Sequence, residues 1–170
     1  MGAAAGTESD LSANDLQFLR RAIALSARAR AAGKHPFGAL VVDAEGRIVS
    51  EAVNDSLPPA GDPTRHAEML AVAQAARLRT PAQLQSSTLY SSAEPCCMCA
   101  GAIYWCNVGR VVYALSEERL LGLTGDHPEN PTFALPCREV FAHGQRAVRV
   151  LGPALQDEAA EMHREFWIGR

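Results

Sequence analysis

Two short clusters in this 170-residue chain carry side chains that could do chemistry together: His66-Ala67-Glu68 and Pro95-Cys96-Cys97-Met98-Cys99. One histidine and two cysteines suit a catalytic zinc, which takes three protein ligands and keeps a fourth position for water. Cys96 and Cys99 stand three apart, so one helical turn presents both sulfurs to a single point. Pro95 suits the first position of that helix, where a missing N–H costs nothing. A helix N-terminus also favours thiolate, the form that binds metal. His66 follows Asp62-Pro63-Thr64 and opens another predicted helix, so two helix N-termini can converge on the metal. Glu68 is only two residues from His66. That spacing does not stack side chains on a helix, unlike the H-E-x-x-H protease pattern, and it places the carboxylate beside the water rather than on the metal. Zinc lowers the pKa of a bound water from about 16 to about 7, and a carboxylate there can carry protons as a general acid–base.

Blander readings of the same residues exist. A lone C-x-x-C also serves structural zinc half-sites and redox pairs. A structural site wants four protein ligands, and His35, His127, His143 and His163 all lie outside any paired spacing. Cys97 adjoins Cys96 and points about 100° away from it on a helix. The reading is therefore one catalytic zinc ion per subunit, with a bound water or hydroxide. Cys106 and Cys137 read as small apolar residues. Three of five cysteines within four positions suit a metal better than disulfides, and agree with a reducing, cytoplasmic setting.

The elements that must hold these groups follow from pattern. Residues 1–11 read as a disordered leader and 12–170 as one domain, a normal size for a single core. Ser12 caps a helix with Asp15 as its capping-box partner, and Gly33 stops it. Residues 37–42 and 47–53 form a hairpin about the turn Asp43-Ala44-Glu45-Gly46. Helices are expected from Thr64 to about Arg77, from Pro95 to about Asn107, over 116–121, and from Ala154 to Trp167. Further strands are expected at 88–92, 110–115 and 147–151. Residues 122–136 read as irregular. The order α-β-β-α-β-α-β-α-β-α predicts a three-layer α/β/α sandwich: a mixed five-stranded sheet with helices on both faces.

A net charge of −3, with Lys34 the only lysine, speaks against nucleic acid as a partner, because such binding rests on phosphate contacts. No stretch reaches the roughly 20 apolar residues of a membrane helix, and the first residues lack a signal-peptide pattern. The helix after the cysteines is apolar nearly all round, which requires burial on several sides.

Together, H-x-E and P-C-x-x-C are the signature of zinc nucleobase deaminases. The chain resembles the cytidine-deaminase-like superfamily, and within it the bacterial guanine deaminases, with tRNA adenosine deaminases as the neighbouring branch. The resemblance covers about residues 14–115. It rests on Pro36-Phe37-Gly38-Ala39, Asn54, the run Asp62 to Glu68, and the run Glu94 to Trp105. It implies Glu68 as the catalytic proton carrier and His66, Cys96 and Cys99 as metal ligands. It implies that Asn54 hydrogen-bonds a base, that Phe37 and His66 flank the ring, and that the Ala67 N–H touches a ring oxygen. Trp105 would help close the pocket from beside a subunit interface, in a homodimer. From the residues alone, Phe37 equally suits the core, Asn54 a turn, and Trp105 subunit packing.

Two features depart from the guanine deaminases. Their Asp pair after the fourth strand is missing, leaving Asp126 as a shifted candidate for substrate binding. Their aromatic C-terminal tail is not clearly matched, and Phe166 and Trp167 read as the packed face of the last helix. The segment 122–136 is expected to shape the pocket and set the substrate. The implied reaction is hydrolysis of a free base or related small heterocycle, guanine to xanthine plus ammonia first. The alternatives are another small ring (cytosine, a nucleoside, an aminotriazine), tRNA adenosine, or a zinc-stabilised binding module that does no chemistry.

Overall fold

In the computed structural model, residues 10–168 are described; residues 1–9 of the expected leader, and 169–170, lie outside the described residues. Helix α1 (Ala13–Ala31) starts at Ser12, whose side chain and that of Asp15 cap each other's backbone N–H groups. It stops ahead of Gly33, which takes φ +73°. Strand β1 (Gly38–Val42) then runs directly beneath α1. Gly38 is required there: a Cβ at this position would lie 2.5 Å from the Leu25 Cβ and 2.6 Å from the Ser26 nitrogen.

The other strands are β2 (Ile48–Val53), β3 (Thr88–Ala93), β4 (Arg110–Leu115) and β5 (Arg149–Leu151). They lie in the order β2-β1-β3-β4-β5. β1 is antiparallel to both β2 and β3, whereas β3–β4 and β4–β5 are parallel. Thus β2, β3 and β4 all run one way, and Asn54, Glu94 and Ser116, the residues that follow them, emerge at one edge of the sheet. Open α/β sheets bind ligands at this carboxyl edge.

Alternate side chains along each strand go to opposite faces. Ala39, Val41, Leu89, Val111 and Val150 pack under the helices α2 (Ala67–Leu78), α4 (Cys97–Trp105) and α6 (Cys137–Ala142). Leu40, Val42, Tyr90, Val112 and Leu151 pack under α1, α5 (Glu117–Thr124) and α7 (Gln156–Ala160). Both faces are covered, which explains why the inner strand β1 is apolar and buried at every position from Gly38 to Val42. The expected three-layer α/β/α sandwich with a mixed five-stranded sheet is what forms.

Several boundaries differ from expectation. A short α3 (Pro81–Gln85) and α6 are additional. Helix α2 begins only at Ala67, because Asp62 closes a turn on the Thr64 N–H first. Helix α4 begins at Cys97; Cys96 is its extended N-cap, so Pro95 precedes the cap instead of filling the first turn. The last helix ends at Ala160, and Glu165 at φ +59° turns the chain so that Phe166 and Trp167 are buried. Among the described residues no helix is long and apolar enough to cross a membrane.

One polar cluster locks α1 to the sheet. Asp15 accepts from Tyr90 Oη (2.7 Å) on β3 and from both Arg110 terminal nitrogens (2.6 and 3.0 Å) on β4. Burial alone would raise the Asp15 carboxyl. The hydrogen bonds from Arg110, Tyr90 and Ser12 outweigh it and hold the group well below the usual carboxylate range. A carboxyl depressed in the folded state stabilises the fold above its unfolded pKa, and that stability is lost as pH falls toward the native value. Asp15→Ala is expected to cost roughly 2–4 kcal/mol at neutral pH, read from the midpoint of urea unfolding. The gap between variant and parent should shrink as pH falls below about 4.

Candidate active site

At the carboxyl edge of the sheet the N-termini of α2 and α4 come close together. His66 is the N-cap of α2 and Cys96 the N-cap of α4. Extended N-cap backbone brings the His66 Nδ1 to 3.7 Å from Cys96 Sγ and 3.5 Å from Cys99 Sγ, with the two sulfurs 3.6 Å apart. Zinc bonds of about 2.3 Å to sulfur and about 2.0 Å to nitrogen, at tetrahedral angles, would separate the ligand atoms by about 3.5–3.8 Å. The three side chains therefore fit a zinc ion, and they are the one such His/Cys/acid cluster found among the described residues.

The electrostatics prepare the sulfurs for metal. Cys96 is favoured as thiolate: the hydrogen bond from Cys99, and behind it the His66 ring, bring its pKa down to about 4 against the opposing effect of burial. Cys99 is raised by that same hydrogen bond and by burial. One proton is thus left between two sulfurs, where a divalent cation would replace it.

Glu68, in the first turn of α2, is 5% exposed. Its Oε1 accepts from Ser91 Oγ on β3 (2.8 Å), and its Oε2 lies 3.6 Å from Cys99 Sγ. Burial raises its pKa, with the His66 charge and the Ser91 hydrogen bond opposing. The carboxylate is beside the metal ligands but is not grouped with them.

Above this floor opens a cavity of about 480 Å³. Phe37 and Asn54 stand on one wall, at the start of β1 and the end of β2. Asn54 is 2% exposed and its Oδ1 accepts from the Ser56 N–H (2.9 Å) and Ser56 Oγ (2.7 Å), leaving its amide nitrogen to donate. Phe37 is backed by His163 and Trp167, at 5.1 and 6.5 Å between ring centres. The irregular run after α5 also lines it, through Glu129, Asn130, Thr132 and Phe133. Ala67 is fully buried between His66 and Glu68, and its side chain takes no part in the cavity wall.

Two expected substrate contacts are not brought there. Trp105 is 85% exposed, because six residues beyond Cys99 the helix has advanced about 9 Å along its axis, away from the metal floor. Asp126 is exposed and off the cavity wall, since the chain turns after it and presents Glu129 instead. Phe166 and Trp167 do not continue a helix face; Trp167 packs on His35, Phe37 and His127 behind the cavity.

Three acidic or hydroxyl groups at the site escaped sequence reasoning. Ser91 anchors Glu68. Glu94 accepts from the Glu117 N–H (3.2 Å) and the Cys137 N–H (3.0 Å), tying the starts of α5 and α6 to the metal floor. Glu117 lines the cavity; burial, and then the negative charges of Cys96, Glu94 and Glu68, push its pKa up to about 7. The pair Glu117-Glu118, directly after a strand, was the available signal for an acidic group at this edge.

Residues 12–115 match the protein family described as the cytidine and deoxycytidylate deaminase zinc-binding region. The chain is 39% identical over 163 residues to a probable cytosine deaminase of Schizosaccharomyces pombe, covering 96% of this chain and 98% of that protein. It is 42% identical over 102 residues to a guanine deaminase of Bacillus subtilis, covering 59% of this chain and less than two thirds, 64%, of that protein. Its fold superposes on a guanine deaminase from Nitrosomonas europaea with a TM-score of 0.73 and 28% identity, over 92% of this chain and 85% of the other. The chain belongs to the cytidine and deoxycytidylate deaminase family.

His66→Ala is expected to abolish stoichiometric zinc, measured by metal analysis of the purified protein. One zinc per chain in that variant would show the ligand set to be wrong.

Proposed function

We propose that the chain, as a member of this deaminase family, hydrolyses the amino group of a free nucleobase, with guanine as first substrate and cytosine as second. The observation that carries this reading is the buried Glu68 carboxylate, held by Ser91 beside the His66, Cys96 and Cys99 cluster at the base of the cavity. When bound, zinc would supply a water of lowered pKa and a positive charge to polarise it.

The residues of the chain then divide the remaining work. Phe37 offers a ring face for a flat heterocycle to stack on. The Asn54 amide donates to a ring carbonyl or ring nitrogen, and the Glu129 carboxylate accepts from a ring N–H. Guanine presents both kinds of edge. Glu68 takes a proton from the attacking water and hands it to the ring nitrogen beside the amino-bearing carbon. It then takes the second proton from the hydroxyl now on that carbon and delivers it to the departing amine, so base and water become the oxo-base and ammonia. Cytosine is kept as a second reading because the relative matched over nearly its whole length is a probable cytosine deaminase. A net charge of −3 weighs against a tRNA substrate.

The same reading includes a homodimer through α4. That helix buries only Cys99, Ala100 and Ile103, and leaves Trp105 outward in a single chain. A second subunit on this face would cover an exposed aromatic residue of the kind that favours interfaces. Trp105→Glu is expected to shift the protein from dimer to monomer in sedimentation velocity; a parent that already sediments as a monomer would refute the dimer.

The test of function is ammonia release from zinc-loaded protein offered free bases, nucleosides and a tRNA anticodon arm. Turnover of guanine or cytosine, with the RNA unchanged, is expected. Glu68→Gln should keep its zinc and lose at least about 100-fold in rate. Near-normal turnover in that variant would overturn the mechanism, and activity confined to the RNA would overturn the substrate.

A further inference from the structure

Asn54 and Glu129 both line the cavity, and one buried side chain meets Glu129 directly and Asn54 through Ser56. His35, 5% exposed, lies on the short connection between α1 and β1. Its backbone is held on both sides: the Lys34 N–H donates to the Ala29 carbonyl, and the Phe37 N–H to the His35 carbonyl. Its ring is wedged between Trp167 (5.0 Å, 52°) and Phe166 (6.2 Å, 88°). So fixed, its Nε2 meets Glu129 Oε2 at 3.1 Å and its Nδ1 stands 3.4 Å from Ser56 Oγ.

Ser56 is the residue that orients Asn54. Its N–H and its hydroxyl both donate to Asn54 Oδ1. With the oxygen so committed, flipping the Asn54 amide would set its NH2 group against a backbone N–H, so the donor face must stay toward the cavity. Glu129 belongs to a run with no helix or strand between Gly125 and Pro136, apart from one bridge of His127 to Asn130. A carboxylate on such a run is placed by the groups it meets, and the His35 ring is one of them. The chain of contacts Glu129–His35–Ser56–Asn54 thus joins three segments distant in sequence around the substrate end of the cavity.

We propose that His35 is a positioning residue that sets the Asn54 donor and the Glu129 acceptor at the spacing the substrate ring requires; this rests on the base-deaminase reading above. Its contacts with Glu129 and Ser56 bear on the two substrate-facing groups, so its removal acts on substrate binding more than on the chemical step.

The experiment uses the zinc-loaded full chain and steady-state ammonia release from guanine and from cytosine. His35→Ala should raise KM at least about tenfold, change kcat by less than about threefold, and retain one zinc per chain. His35→Phe keeps a ring against Trp167 and should be as impaired as His35→Ala. His35→Gln restores a donor toward Glu129 and should recover much of the KM. In the double variant with Asn54→Ala the two effects should combine to less than their product. An unchanged KM in His35→Ala, full recovery in His35→Phe, or a fully multiplicative double variant would each overturn the proposal. A second readout is independent of turnover. The Asn54 side-chain amide should give a dispersed, exchange-protected pair of nitrogen-15 signals in the parent that collapses in His35→Ala. Should the parent turn over no free base, the functional reading fails, and this signal decides His35 alone: its persistence in His35→Ala refutes the positioning role.

Discussion

The convergence of two helix N-termini on one point is the constraint from which the rest of this structure follows. N-cap residues leave the helical path, so His66 and Cys96 can lean toward each other from the starts of two separate helices. The partial positive charge at both helix starts favours thiolate where a cation is to be held. To bring those starts together, α2 and α4 must lie on the same face of the sheet, and their preceding segments must leave the same edge. The parallel sense of β2, β3 and β4 satisfies that requirement. The antiparallel β1 then brings Phe37 to this edge from the opposite direction.

Local chemistry was legible in the sequence, and long-range placement was not. The ligand trio could be read because its spacing lies within one turn and its helix starts carry their own signals. The capping box at Ser12 and the stop at Gly33 were equally local. Pro95 misled by two positions because a proline suits either side of an N-cap, and only the need to aim Cys96 decides between them. Helix α3 was missed although Thr80-Pro81-Ala82-Gln83 spells a capping box. Asp126 and Trp105 were chosen by resemblance. Where the irregular run places its carboxylates depends on contacts distant in sequence, such as that of Glu129 with His35, 94 residues away. The end of α4 depends on what covers it. The closing segment looked like one amphipathic helix, and no local pattern announced the turn at Glu165 that buries Trp167 behind Phe37.

Three carboxylates, Glu68, Glu94 and Glu117, crowd the cavity floor beside two sulfurs. Such a gathering of negative charge is unfavourable without a compensating cation. The structure relieves it partly by hydrogen bonds: Ser91 to Glu68, and backbone N–H groups to Glu94. Two positive charges from a bound divalent ion would relieve the remainder, so metal binding and the stability of this edge are coupled.

Glu94 carries a consequence for how such an enzyme diversifies. Its two oxygens grip the chain at Glu117 and again at Cys137, so the intervening stretch leaves and rejoins the metal floor at one shared anchor. A loop pinned at both ends can lengthen, shorten or change composition with only a slowly growing entropic cost. Changes within it would leave the Glu94 anchor, and the metal floor below, in place. The stretch is built as a cassette, whose cavity-lining residues could be exchanged while both of its ends stay fastened.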